Sequence, residues 1–176
     1  ISTGGSLASV DSYSVITSGD YADGIVAIGQ GYYDSGVGQA YAGSVYVDSS
    51  FVTTSGYNAY GIVATAGGGD VEVNSNFVRT YGDFSTGIYA AAFNYYDSGL
   101  LLNLQGDVSV DSERVYTSGY ASIGIDTYAE GGNIEIFSNQ VVTCTPTDAP
   151  SGASLNSAMD SSELCLAAAG SGLLVF

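Results

Sequence analysis

Five short blocks recur along this chain on one frame, and that recurrence limits the fold more than any other feature. Val10-Asp11-Ser12 is followed by Val15-Ile16-Thr17-Ser18-Gly19, Val47-Asp48-Ser49 by Val52-Thr53-Thr54-Ser55-Gly56, and Val73-Asn74-Ser75 by Val78-Arg79-Thr80-Tyr81-Gly82. Val110-Asp111-Ser112 leads to Val115-Tyr116-Thr117-Ser118-Gly119, and Ile136-Phe137-Ser138 to Val141-Val142-Thr143. Behind the first four copies come Gly24-Ile25, Gly61-Ile62, Gly87-Ile88 and Gly124-Ile125. The aligned serines are 37, 26, 37 and 26 residues apart, so long and short units alternate in a 63-residue double repeat. The extra length falls at one place. Long units carry Tyr32-Tyr33-Asp34-Ser35-Gly36 and Tyr95-Tyr96-Asp97-Ser98-Gly99, where short units have Gly67-Gly68-Gly69-Asp70 or Gly131-Gly132-Asn133.

Each unit reads as three short alternating segments. In the second unit these are Val45-Tyr46-Val47, Val52-Thr53-Thr54 and Ile62-Val63-Ala64. Asp or Asn followed by Ser is expected to mark the first corner, and Gly the second. Three strands per unit, stacked in register, predict an all-β chain: a right-handed parallel β-helix, or β-solenoid, of about five coils. Val52, Val78 and Val115 then form one inward column, Ile62, Ile88 and Ile125 another. Thr17, Thr54, Thr80, Thr117 and Thr143 line up near a corner, their hydroxyls expected to bond one another and turn backbone. An antiparallel sandwich also uses short strands, but does not demand identical inward residues at a fixed period. Units of 26 residues exceed the 18-residue turns of left-handed hexapeptide helices.

The repeats occupy residues 1–143. The frame ends after Thr143, and residues 144–176, with Pro146 and Pro150, read as an irregular cap or a strand donated to a partner. An open end of stacked strands exposes apolar core and unpaired backbone, so some cover is needed. Cys144 and Cys165 flank this stretch, and no further Cys or His accompanies them as metal ligands. A disulfide formed in an oxidising compartment is expected, contributing on the order of 3 kcal/mol by closing a loop of roughly 20 residues.

Charge narrows function by exclusion. Eighteen acidic residues face two basic ones, Arg79 and Arg114, for a net charge of −16. Nucleic acid and anionic membranes both require clustered Lys or Arg, and no 18-residue apolar run exists to insert into a bilayer. The absence of His removes the usual nucleophilic triads. Asp20 with Asp23, and Asp107 with Asp111, are the carboxylate pairs a glycoside hydrolase would need, though solvated acidic turns explain them more simply. Gly67-Gly68-Gly69-Asp70 lacks the Lys and following helix of a phosphate cradle, and the Gly-Gly-x-Gly-x-Asp spacing of calcium repeats. No cofactor is expected; calcium is the one ion the acidic corners leave open.

Thr54-Ser55-Gly56 followed by Ala59-Tyr60-Gly61-Ile62-Val63-Ala64 resembles repeats in the β-helical passenger domains of bacterial autotransporters and related large surface proteins. The resemblance covers roughly residues 6 to 143. It implies a secreted, extracellular protein at the cell surface, structural or adhesive; that it is not an enzyme is expected from the residues above. The sequence opens at Ile1 without a basic-plus-apolar leader, and an exported protein is expected to have lost one.

Interaction surfaces are expected at two places. The Tyr-rich insertions, with Tyr32, Tyr33, Tyr95, Tyr96, Leu100 and Leu102, project from one corner and offer contact area for protein or sugar rings. Leu173, Leu174, Val175 and Phe176 form an apolar, β-prone stretch suited to strand donation. Five coils span only ~24 Å, short for a stalk. A filament or surface-fibre subunit that polymerises end to end is therefore the leading expectation, with a glycan-binding surface module as the alternative and a polysaccharide-active enzyme as a weaker third.

Overall fold

The computed structural model describes residues 2–4, 6–97, 102–146 and 163–168, and among these there is no helix. The chain is all-β, with mostly parallel pairing. Its strands are β1 (Ser2–Gly4), β2 (Ala8–Ser18), β3 (Ile25–Gln30), β4 (Tyr32–Asp34), β5 (Gln39–Tyr41), β6 (Gly43–Ser55) and β7 (Ile62–Tyr81). There follow β8 (Thr86–Phe93), β9 (Tyr95–Asp97), β10 (Leu102–Leu104), β11 (Val108–Ser118), β12 (Ile123–Ala129), β13 (Ile134–Pro146) and β14 (Glu163–Ala168).

The register follows the repeat residue by residue. β2, β6, β7, β11 and β13 pair in that order, all parallel, and Ser12, Ser49, Ser75, Ser112 and Ser138 stand in one column. β1, β3, β7, β8 and β12 form a second parallel series, aligning Ile25, Ile62, Ile88 and Ile125. β7 belongs to both, because the short unit runs through its glycines without a break.

The expected first and second segments of each unit form one continuous strand with a change of phase. In β6, Val45, Val47 and Ser49 are buried; Ser50 and Phe51 then both turn outward, and burial resumes at Val52 and Thr54. The corner therefore lies one residue beyond Asp48-Ser49, where two successive outward residues shift the alternation. Tyr13, Ser50, Asn76, Glu113 and Asn139 are the positions the ladders skip.

The core is made of these columns: Val47, Val73 and Val110, then Val52, Val78 and Val115, then Ile62 and Ile88, all at most 1 % exposed. Small chains of one shape stacked at the strand spacing leave no room for a wider residue, which is why the repeat is conservative inside and variable outside. The second corner depends on glycine. Gly19, Gly56, Gly82 and Gly119 have φ of 115°, 142°, 139° and 143°. A Cβ on Gly56 would collide with the Gly19 carbonyl, and one on Gly82 with that of Gly56.

Hydroxyls in the interior behave less uniformly than expected. Thr17 donates to the Ala22 carbonyl at 2.8 Å and Thr54 to that of Ala59 at 3.1 Å. Thr80 and Thr117 make no such bond. Their units carry Ser85 and Ser122 where the first two have alanine, and these serines instead donate to the Gly56 and Gly82 carbonyls of the preceding unit.

Candidate interaction surface

Each Tyr-rich insertion contributes two antiparallel strands that form a small sheet separate from the parallel ladder. β4 pairs with β5 and β9 with β10, the latter placing Leu102 opposite Asp97. In the first, Asp34 closes the turn by accepting the Gly36 and Gly38 amides, each at 2.8 Å, and Gly38 has φ of 66°. Tyr32 stacks on Tyr41 with centroids 5.1 Å apart, and Tyr32, Tyr33 and Tyr96 are all exposed. Tyr95 behaves differently. It packs over glycines of the two preceding units, one long and one short: a Cβ on Gly31 would lie 2.7 Å from its Cγ, and one on Gly68 2.8 Å from its Cβ. A shallow, largely apolar cleft beside it is lined by Ile28, Gln30, Thr65, Phe93 and Tyr95, with no charged group. Leu100, Leu173, Leu174, Val175 and Phe176 lie outside the described residues.

Sequence reasoning missed a second aromatic feature. Tyr21, Tyr57, Phe84 and Tyr120 form an exposed edge-to-face ladder along the glycine corner, with centroids 5.7, 5.5 and 5.6 Å apart. The signal was present but staggered. After the corner glycine, one unit reads Asp-aromatic (Asp20-Tyr21, Asp83-Phe84) and the next begins with the aromatic (Tyr57, Tyr120). The ladder therefore follows the double repeat rather than a single column.

The acidic residues are tied into the stack. Asp20 accepts the Tyr57 amide at 2.9 Å and Asp23 that of Tyr60 at 2.8 Å. Asp83 accepts the Tyr120 amide at 2.8 Å, Asp70 that of Asp107 at 2.9 Å, and Asp107 that of Asn133 at 2.7 Å. Each carboxylate thus satisfies a corner N–H of the following unit, a charge-assisted bond that joins neighbouring repeats. Asp20 and Asp23 are directed at backbone, not at a shared reaction centre; Asp111 sits in a separate outward column with Asp48 and Asn74. Among the described residues, no group of three or more His, Cys, Asp or Glu could hold a metal ion.

Arg79 lies between the rings of Tyr81 and Tyr116, 4.6 and 5.0 Å from their centroids, a cation–π clamp across two units. Arg114 occupies a different column, between Phe77 and Gln140. Tyr89 has its pKa raised above the usual tyrosine value by burial first, then by the charge of Asp126 and the neighbouring Tyr60 and Tyr128.

At the far end β14 pairs antiparallel with β13 and brings Cys165 opposite Cys144. Cys144 is not a free thiol.

No protein-family model, curated protein or solved structure matches the chain. The function must therefore be read from its own geometry.

Proposed function

We propose that the parallel ladder is wound as a right-handed β-helix and that the protein is a secreted bacterial cell-surface structural and adhesive element, not an enzyme, which associates end to end with its own copies. One observation carries this reading. Inward residues sealed in the middle units are only half-buried in the end units of the described ladder: Val10 and Val15 in β2, and Ile134 and Ile136 in the part of β13 that β14 does not pair with. Such edges are templates for another strand, and a second copy supplies one of matching shape. The resemblance to autotransporter passenger repeats points to the same setting. So does the oxidised pair inferred for Cys144 and Cys165, which mass spectrometry of unreduced protein would detect as an intrachain link. The commitment of Asp20, Asp23 and Asp107 to backbone amides argues against a carboxylate-driven hydrolase.

The test is light scattering together with negative-stain microscopy of the native protein. Filaments one molecule wide are expected; a stable monomer at high concentration would overturn the proposal.

A second reading, a glycan-binding module, rests on Tyr33 and Tyr96 being exposed on the two small antiparallel sheets of the insertions. Calorimetric titration with neutral oligosaccharides should show binding that is lost in Tyr33→Ala and Tyr96→Ala variants. Equal heats from variants and native protein would remove it.

A further inference from the structure

Among the described residues the two ends of the ladder are matched steps. The first series there contains β2, β6, β7, β11 and β13, and the second β1, β3, β7, β8 and β12, so each carries five described layers. Because β1 begins the second series before β2 begins the first, and β12 ends it before β13, the same offset separates the series at both ends. A copy displaced by five layers would therefore set its β1 on β12 and its β2 on β13, continuing both series without a gap.

Resting on the self-association reading above, we propose that this is the docking register for a second copy of the chain: residues 134–140 receive residues 8–14 of the next molecule, and β14 holds the adjoining edge as a displaceable cap. The inward columns continue in phase. Ile134 would meet Ala8, Ile136 would meet Val10, and Ser138 would meet Ser12, as each already pairs within the ladder. Charge is compatible as well, because Glu135 would meet Ser9 and Asp11 would meet Phe137, with no acid facing an acid. Neither edge segment contains Lys or Pro, the usual guards against edge pairing. The contact is head to tail and does not close, so it propagates as a filament rather than stopping at a dimer.

β14 stands in the way over part of this interface. It pairs antiparallel with residues 141–146, the edge that residues 15–18 of the next copy would need. Antiparallel cover cannot continue a parallel series, so addition of a copy must displace it. β14 thereby sets how readily growth occurs.

Asp11 and Phe137 are both exposed, and substitution there leaves the core intact. The test is a full-length chain carrying Asp11→Cys and Phe137→Cys in a Cys144→Ser, Cys165→Ser background. It is oxidised and run unreduced, beside the same chain with Leu164→Pro and Leu166→Pro to disable β14. A ladder of covalent oligomers is expected, increased several-fold by the prolines, whereas either single cysteine gives dimers at most. Equal ladders with and without the prolines would overturn the cap. Polymer seen by light scattering without covalent ladders would overturn the register and leave self-association standing. A monomer in every variant would overturn both readings.

Discussion

Val52, Val78 and Val115 are sealed, whereas Val15 and Val141, in the same column, are half-buried. The residue type, the strand and the register do not change between them; only the neighbours do. In this architecture a side chain is buried by the unit above and the unit below, so stability is shared between units rather than held within one. The middle is where substitutions should hurt most.

The sharpest contrast lies at the corner glycines. Gly19 and Gly56 share a positive φ, but a Cβ at Gly19 would meet nothing closer than Ala22 at 4.0 Å, while one at Gly56 meets the Gly19 carbonyl. Gly19→Ala should cost about 1–3 kcal/mol from backbone strain alone. Gly56→Ala should cost more than about 4 kcal/mol, because the clash adds to the strain. Denaturant titration of the two variants would break the comparison if they lost equal stability.

Next in size is the isoleucine column. Ile88→Ala, fully buried, should cost about 2–5 kcal/mol through lost burial and a residual cavity. Ile125→Ala, packed only partly against the core, should cost less than half as much. A smaller effect is expected at the carboxylate ladder: Asp83→Ala, which frees the Tyr120 amide, should cost about 1 kcal/mol, discounted for exposure. Restoration by Asp83→Asn, whose side-chain oxygen can accept the same bond, would separate hydrogen bonding from charge. No change on Asp83→Ala would show that water replaces the carboxylate there.

The smallest effect concerns Tyr89. Its folded pKa lies above the ordinary 10.0, so the folded state holds the proton more tightly than the unfolded one. The resulting stability is fully present below pH 10 and is lost as pH rises through the folded pKa. Above pH 10 the native protein should therefore lose stability more steeply than Tyr89→Phe, measured by denaturation midpoints. Parallel slopes would contradict this.

Much of the ladder was legible because stacked identity leaves a direct trace in sequence. The Ser12 column and the Ile62 column follow from the alternating 37- and 26-residue spacing before any coordinate is known. The corner after Ser49 was not, since two consecutive outward residues look like a continuing strand until the change of phase is seen. The hairpin at Tyr32 was visible as an insertion, but not the packing of Tyr95 onto Gly31 and Gly68, which depends on glycines contributed by other units. The aromatic ladder escaped because its rings alternate between two positions, and the acids escaped as ladder members because their partners are backbone amides 26 or 37 residues away. That Cys165 lies on an antiparallel strand opposite Cys144 was not foreseeable, because nothing in the repeat frame extends to it.

The central claim is that the repeats stack in parallel, one unit per layer, and the most direct measurement is a set of spin-label distances along one outward column. Asp11, Asp48, Asn74, Asp111 and Phe137 occupy successive layers. Pairs of labels should separate by ~4.8 Å per layer, reaching ~19 Å between positions 11 and 137. A steady rise in distance along the series is the predicted result. Distances that alternate, or a span between positions 11 and 137 well beyond this value, would contradict the account.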